Sequence, residues 1–296
     1  MHVGHLHIDA WTVRELVERQ FPSWSGVPVT AVPAASTVNA LFRIGQDLAA
    51  RFPRQPADAD TTRSLLRAEA AAAAELLGAT SFATPEPVAI GEPDLGYPLP
   101  WSIQTWLPGR TAAEDDPGSS VDVAHDLARF VTQLRAVDTR GRTFAGTNRG
   151  GDLTSRDAWM QTCLARSEGL LDVARLRRLW ADLRLLRRTS PDAMTHGDLI
   201  PGNVLVADGR LVGVLDVGGF GPADPALDLV GAWHLLEDGP RRVLREELGC
   251  DELEWGRGRA WAFEQAMGLV WSYAASAPTL SALGRRTLGR LLGEEH

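Results

Sequence analysis

Hydrophobic and polar positions follow two different patterns along the chain, and the change comes near residue 107. Before that point, short apolar runs typical of strands are interspersed with helical patterns. After it, apolar residues recur mainly at the three-to-four-residue spacing of amphipathic helices. The sequence therefore predicts a mixed first part and a mainly helical second part.

The first part of the chain contains two predicted helices and five predicted strands. A helix over 12–21 would begin at a capping box formed by Thr12 and Glu15. A second helix over 60–77 is rich in Ala, Leu, Arg and Glu, which are strong helix formers. The strands are predicted over 27–33, 37–44, 47–52, 86–91 and 101–106.

The second part of the chain contains one compact non-helical stretch, 193–222, where Asp208-Gly209 separates two β-rich runs and predicts a hairpin. The predicted helices cover 119–137, 156–168, 172–189, 224–237, 240–248, 252–275 and 280–293. We therefore expect an α+β fold with a small mixed N-lobe, 1–106, and a larger, mainly helical C-lobe, 107–296. A cleft between two such lobes is a normal place for a ligand.

Composition narrows the function classes. The chain has 296 residues, 44% of them hydrophobic, and a net charge of −8. This charge argues against a nucleic-acid partner and is compatible with a cationic small molecule. No apolar run is long enough to span a membrane, and the N-terminal sequence is unlike a signal peptide, so we expect a cytoplasmic protein. All 30 basic residues are arginine, so any role usually given to lysine falls to arginine or is left empty.

Three oxygen-bearing side chains are grouped around the predicted hairpin. Asp198 and Asn203 stand five residues apart in the loop before its first strand, and Asp216 directly follows its second strand. Carboxylate and amide oxygens suit Mg²⁺, which shares its ligands with substrate phosphates. Asn203 and Asp216 are the candidate metal ligands, which leaves Asp198 to orient a substrate hydroxyl and accept its proton.

The sequence around these residues resembles the aminoglycoside phosphotransferase family, which has a protein-kinase-like fold and includes relatives among choline, macrolide and homoserine kinases. His196–Leu205 reads His-Gly-Asp-Leu-Ile-Pro-Gly-Asn-Val-Leu, and Asp224–Leu229 reads Asp-Pro-Ala-Leu-Asp-Leu. The resemblance implies Mg²⁺-dependent transfer of the γ-phosphoryl of ATP or GTP to a hydroxyl of a small molecule, an aminoglycoside or another antibiotic, and hence antibiotic resistance.

The resemblance also implies roles for single residues of the catalytic loop. Asp198 would be the base, and Asn203 and Asp216 would hold Mg²⁺. His196 would brace the loop, and Asp228 would accept hydrogen bonds from its backbone. For Asp224 a simple helix N-cap is the favoured interpretation.

The nucleotide-binding residues follow the family pattern less closely. The family places Ala-x-Lys on the third strand, where this chain has Ala49-Ala50-Arg51, so Arg51 would grip phosphate beside the small Ala49. Glu69 would pair with Arg51, with Glu75 as the second choice. The phosphate-covering loop near 34–40 lacks glycine and offers Ser36 and Thr37. Backbone groups of Thr105 and Leu107 would bind adenine, with Gln104 at the back of the base pocket.

Two other functions remain open from the sequence. A metabolic kinase for a choline-like, sugar or amino-alcohol substrate would share the catalytic motif and differ only in its acceptor pocket. A nucleotide-binding pseudoenzyme is favoured by the missing lysine and the missing glycine loop, and opposed by the intact Asp198, Asn203 and Asp216. A protein kinase fits less well, since only seven residues separate Asp216 from Asp224. The oligomeric state is not predicted.

Overall fold

The computed structural model describes residues 6–32 and 38–293. The chain forms two compact units. The first contains the described part of Met1–Gly78, together with Ala83–Pro108 and Val214–Gly218. The second contains Ala79–Phe82, Gly109–Gly213 and the described part of Gly219–His296. The loop that holds Asp216 therefore belongs to the first unit, although it follows a strand of the second.

The first unit is built on an antiparallel sheet. Its strands are β1 (Val29–Val32), β2 (Asn39–Ile44), β3 (Leu48–Pro53), β4 (Pro87–Gly91) and β5 (Trp101–Thr105), and its helices are α1 (Ala10–Gln20) and α2 (Ala59–Leu76). The strand order is β1-β2-β3-β5-β4. All five strands and both helices predicted from the sequence are confirmed, with ends that differ by a few residues.

Helix α1 begins earlier than the sequence predicts. The carboxylate of Asp9 accepts a hydrogen bond from the backbone N–H of Thr12 at 2.8 Å, which makes Asp9 the N-cap. The predicted capping box at Thr12 is therefore wrong, since Thr12 already lies in the first turn. Both residue types favour caps, and the extended backbone of Asp9 decides between them.

Aromatic rings fill the core of the first unit. Phe52 of β3 stacks on Trp101 of β5 with ring centroids 4.6 Å apart, and Tyr97 meets Phe52 edge-on at 5.1 Å. The backbone at Gly91 passes so close to the indole that a Cβ there would lie 2.2 Å from a ring atom of Trp101. Helix α1 covers this cluster with three buried side chains, Val13, Leu16 and Val17. Helix α2 packs against β4 and β5.

The second unit is mainly helical. Its helices are α3 (Val121–Arg135), α4 (Asp157–Arg166), α5 (Val173–Leu183), α6 (Val230–Leu235), α7 (Asp238–Leu248), α8 (Glu252–Ser272) and α9 (Pro278–Gly293). Its short strands are β6 (Arg110–Thr111), β7 (Ala193–Thr195), β8 (Val204–Ala207), β9 (Arg210–Val214), which ends at the unit boundary, and β10 (Gly221–Ala223). The predicted α+β fold is confirmed.

The predicted hairpin is present as β8 and β9. Asp208 and Gly209 at its turn have φ values of 51° and 73°, and two consecutive positive φ angles are what the tight turns of such hairpins need. The sequence did not predict β6, which pairs with β8, or the antiparallel pair of β7 and β10. These strands have only two or three residues each and are too short to leave a pattern.

Two helix predictions are wrong at their boundaries. The helix predicted over 172–189 ends at Leu183, and the carbonyl of Leu186 accepts a hydrogen bond from Arg257 at 2.6 Å instead of continuing a helix. The helix predicted over 224–237 is divided into a 3-10 helix, Pro225–Leu229, and α6. No helix among the described residues is both long and apolar enough to cross a membrane.

Candidate functional site

A short loop and one 3-10 turn hold most of the candidate catalytic motif in the second unit. The loop leaves β7 after Thr195 and passes into the 3-10 turn Pro201–Asn203, which leads directly into β8. Gly197 has φ of +84°, a conformation that favours glycine. This left-handed residue separates His196 from Asp198.

A buried carboxylate braces the start of this loop. Asp228 is 1% exposed and accepts hydrogen bonds from the backbone N–H groups of His196 at 2.9 Å and Gly197 at 2.7 Å. Burial raises the pKa of Asp228, while the two amides favour its ionised form. His196 is also buried, and its Nδ1 accepts a hydrogen bond from the N–H of Asp198 at 3.2 Å. These contacts fix the backbone on both sides of Gly197.

The carboxylate of Asp198 has partners on both of its oxygens. Asn203 Nδ2 donates to the backbone oxygen of Asp198 at 2.9 Å and to its Oδ2 at 3.1 Å. Arg149 Nη2 donates to Oδ1 at 3.0 Å, and Gln265 Nε2 donates to the same oxygen. The side chain of Asp198 is 33% exposed, so the group is held in place without being sealed from solvent.

The sequence did not predict Arg149 or Gln265 at this site. They stand 49 and 67 residues from Asp198 along the chain. Arg149 lies in an irregular segment without a recognised motif, and Gln265 lies within α8 among buried apolar residues. A buried glutamine in an apolar helix is the one signal that could have marked Gln265, because a buried amide needs partners.

Asp224 anchors α8 to the segment after the hairpin. Its carboxylate accepts a hydrogen bond from the N–H of Ala226 at 3.1 Å and so caps the 3-10 helix that follows. This is the helix N-cap that the sequence favoured for Asp224. It also accepts hydrogen bonds from Arg257 Nε at 2.9 Å and Trp261 Nε1 at 2.8 Å. Asp224 and Arg257 are both buried, so the residue is a helix cap and half of a buried ion pair.

The first unit contains a second charged cluster, formed by Arg51, Glu69 and Asp216. Arg51 Nη1 lies 3.4 Å from Glu69 Oε2, and Arg51 Nη2 lies 3.0 Å from Asp216 Oδ1. The side chain of Arg51 is 17% exposed, whereas those of Glu69 and Asp216 are 41% and 50% exposed. Arg51 thus contacts Glu69 of α2, the residue predicted from the sequence as its first-choice partner.

Backbone conformation places the carboxylates of this cluster close together. Asp216 has φ of 56°, a left-handed conformation uncommon for residues other than glycine. A Cβ at Gly218 would lie 2.8 Å from Glu69 Cγ, so α2 can approach this segment only because residue 218 has no side chain. Burial is the main cause of the raised pKa of Glu69; Asp216 raises it further and Arg51 opposes the rise.

A cavity of about 290 Å³ lies beside this cluster within the first unit. Arg51, Glu69 and Gln104 line it, together with apolar residues of α2, β4 and β5. Gln104, expected at the back of a base pocket, therefore faces this cavity. Ala49 is buried on β3 opposite Gln104 in the strand register and is not among the described lining residues.

The remaining described nucleotide-binding candidates are Thr105, the last residue of β5, and Leu107, two residues after it. The N–H of Thr105 donates to Glu86 O at 2.9 Å, so only the carbonyl of Thr105 could serve a base. Within the described part of the chain no hydrogen bond engages the N–H of Leu107. Ser36 and Thr37 lie outside the described residues.

Each of the two candidate metal ligands keeps one side-chain oxygen that suits a hard divalent cation. Asn203 uses its Nδ2 for Asp198, and no described residue donates to its Oδ1. Asp216 accepts from Arg51 at Oδ1, and its Oδ2 has no partner among the described residues. No group of three or more His, Cys, Asp or Glu side chains in the described ranges could hold a metal. Mg²⁺ that shares its ligands with phosphates needs only one or two carboxylates.

The chain matches one protein-family model along most of its length. The family model described as the phosphotransferase enzyme family matches residues 30–262, which is most of the chain. The chain therefore belongs to the phosphotransferase enzyme family. The matched range includes Arg51, Glu69, Asp198, Asn203 and Asp216.

Among individual relatives, an aminoglycoside 3′-phosphotransferase of Escherichia coli is 30% identical over 149 residues, which is 46% of this chain and 52% of that protein. The match thus spans about half the length of this curated relative.

Two solved structures share the fold along nearly the whole chain. A GDP complex of an aminoglycoside 2′-phosphotransferase-IIIa mutant aligns with a TM-score of 0.73 at 17% identity, over 96% of this chain and 98% of that chain. A macrolide 2′-phosphotransferase of Brachybacterium faecium aligns with a TM-score of 0.61 at 21% identity, over 93% and 97% of the two chains. At these identities the likeness shows the fold.

Proposed function

We propose that this protein transfers the γ-phosphoryl group of a nucleoside triphosphate to a hydroxyl group of a small molecule, with Mg²⁺ as its cofactor. The observation that carries this proposal is the Asp198 carboxylate, held by Asn203, Arg149 and Gln265 in the loop that bears the family motif. Membership in the phosphotransferase enzyme family supports it. Residues 1–106 would bind the nucleotide, and residues 107–296 would provide the catalytic loop and bind the acceptor.

In this reaction Asp198 would hold the acceptor hydroxyl and accept its proton as the oxygen–phosphorus bond forms. His196 and Asp228 would keep the loop backbone in place, so that the carboxylate does not reorganise during transfer. Phosphoryl transfer needs positioning and charge neutralisation more than covalent chemistry from the protein. A fixed carboxylate with several hydrogen bonds suits that need.

On the nucleotide side, Arg51 would bind the phosphates and Glu69 would orient Arg51. Ala49, Thr105 and Leu107 would border the base, and Ser36 and Thr37 would contribute to phosphate binding. Asn203 and Asp216 would hold Mg²⁺, which when bound would neutralise charge on the phosphate oxygens. Solved structures of similar fold bind GDP or ADP, which supports a purine nucleotide as the donor and leaves ATP and GTP as its two candidates.

For the acceptor we propose an aminoglycoside. Solved neighbours of similar fold are complexes with kanamycin and with gentamicin. Both are cationic, and the net charge of −8 on this chain is favourable for such ligands. A macrolide or a small metabolic alcohol is the alternative, and an acceptor panel of these three classes distinguishes them by which one takes up phosphate.

The decisive variant is Asp198→Asn, which keeps the size of the side chain and removes its ability to accept a proton. We expect kcat for phosphate transfer from Mg-ATP or Mg-GTP to fall about 10²- to 10⁴-fold. Nucleotide affinity, measured by calorimetry, should stay close to that of the unchanged protein. Asp182→Asn on the exposed face of α5 is the matched control and should behave like the unchanged protein. Undiminished transfer by Asp198→Asn would contradict the proposed role.

A further inference from the structure

A chain of buried polar side chains leads from α9 to the carboxylate of Asp198. Thr287 Oγ1 of α9 lies 2.8 Å from His234 Nδ1 of α6. The other ring nitrogen, His234 Nε2, lies 3.2 Å from Gln265 Oε1 of α8. Gln265 then donates from Nε2 to Asp198 Oδ1. Four polar groups from four different segments are thus joined end to end.

The hydrogen bonds along this chain have only one consistent direction. Gln265 donates from its Nε2 to Asp198 Oδ1, so the oxygen of the same amide faces His234 Nε2. Gln265 Oε1 then accepts from an N–H on His234 Nε2. In the neutral ring Nδ1 is consequently the acceptor, and it takes the hydroxyl proton of Thr287.

Burial favours this neutral ring. His234 and Thr287 are each 0% exposed, and Gln265 is 6% exposed. Burial is the main cause of the low pKa of His234, which is about 3; the hydrogen bond with Gln265 opposes this shift, and the charges of Arg149, Arg290 and Arg286 add to it. A polar group that is buried to this degree and has directed partners holds its neighbours in one arrangement.

We infer that Gln265 is a positioning residue for Asp198, that His234 and Thr287 set the orientation of its amide, and that this arrangement leaves Oδ2 of Asp198 to receive the acceptor hydroxyl. The inference rests on the proposed function of Asp198. Each carboxylate oxygen has about two acceptor directions. Oδ1 uses both, for Arg149 and Gln265, whereas Oδ2 uses one, for Asn203.

The first test is the proton position on His234, measured by ¹⁵N NMR of the ring nitrogens at pH 7 in the unchanged protein. The signals are assigned by their loss in His234→Gln. We expect a neutral ring with its proton on Nε2. A proton on Nδ1, or a doubly protonated ring, would overturn the inference. This measurement needs no enzymatic activity, so it separates failure of the inference from failure of the proposed function.

The second test compares two hydroxyl deletions on the same helix. Thr287→Val removes the donor to His234, and we expect kcat for kanamycin phosphorylation to fall about fivefold while KM for kanamycin and nucleotide stay unchanged. Thr287→Ser keeps the hydroxyl and should restore kcat. Ser281→Ala also removes a buried hydroxyl of α9, which donates to Val270 O at 2.7 Å outside this chain of groups.

The control separates positioning from stability. Ser281→Ala should lower the free energy of unfolding and leave kcat unchanged. If Thr287→Val changes only stability, as Ser281→Ala does, Thr287 has a purely structural role and the inference fails. If the unchanged protein phosphorylates neither kanamycin nor any other acceptor of the panel, the proposed function fails, and the proton position on His234 still decides whether the chain of hydrogen bonds exists.

Discussion

At the scale of single residues, Arg51 shows what an arginine does in a chain that has no lysine. The two Nη atoms of its guanidinium reach two different carboxylates, Glu69 and Asp216. A lysine ammonium is a compact point charge on a flexible stem and lacks this planar fork. Arginine thus does more here than replace a positive charge, because it joins α2 to the segment after β9.

We predict that Arg51→Ala weakens nucleotide binding about 10- to 100-fold, because it removes charge-assisted hydrogen bonds to phosphate. Arg51→Lys should recover part of this loss. Arg63→Ala is the matched control, since Arg63 also bridges two carboxylates of the first unit, Asp60 and Glu92. Calorimetric titration with Mg-ATP and Mg-GTP measures the effect. Equal affinities in Arg51→Ala and Arg63→Ala would remove Arg51 from the nucleotide site.

The residues of the proposed catalytic site differ in how far the sequence could identify them. Asp198 and Asn203 are close in sequence, and their local motif identifies both. Arg149 and Gln265 contact the same carboxylate only because the fold of the second unit brings distant segments together. A single sequence contains no signal for such long-range pairs, except where a polar residue stands at a helix position that its apolar neighbours predict to be buried.

At the scale of elements, one face of α8 supports the segments around the catalytic loop. Arg257, Trp261 and Gln265 are four residues apart, which places them on the same side of a helix. The first two bind Asp224, and the third binds Asp198. The sequence predicts the helix, but apolar residues surround this face, so its hydrophobic pattern does not identify the polar stripe.

We predict that Asp224→Ala lowers the free energy of unfolding by about 3–5 kcal/mol, because it leaves the buried Arg257 without its carboxylate. Urea unfolding followed by circular dichroism measures this change. Glu252→Ala removes the carboxylate of an exposed pair with Arg245 and should cost less than about 1 kcal/mol. Similar losses in the two variants would show that the buried pair is not an anchor.

Element boundaries were the least predictable part of the fold. Helix α5 ends at Leu183, and three residues later the carbonyl of Leu186 accepts a hydrogen bond from Arg257, which lies 71 residues further along the chain in α8. The start of α1 depends on the backbone angles of Asp9. Both are decided by packing or by backbone geometry that the hydrophobic pattern does not contain.

At the scale of the whole molecule, the buried neutral His234 links stability to pH. In the unfolded chain this histidine takes up a proton near its usual pKa of 6.5, whereas in the folded protein it does so only near 3. Between these values the unfolded state binds more protons, so acid favours unfolding. The contribution of His234 to stability is complete above about pH 6.5 and is lost as the pH falls towards 3.

We predict that the difference in unfolding free energy between the unchanged protein and His234→Gln narrows by about 1.4 kcal/mol per pH unit below pH 6.5. Urea unfolding at pH 7.5, 5.5 and 4.5 measures it. Other titrating groups, such as the buried Asp228, contribute equally to both proteins and cancel in the difference. A difference that stays constant over this range would show that His234 is not held neutral.

The single open acceptor direction on Asp198 has a chemical consequence for a substrate with many alcohols. A carboxylate that is free on every side could activate whichever hydroxyl came near. With Oδ1 already occupied by Arg149 and Gln265, an alcohol that binds to the proposed base would approach along Oδ2. On a polyhydroxylated molecule, only a hydroxyl that can reach this direction would then take up phosphate, and product analysis by NMR shows which ring positions do so.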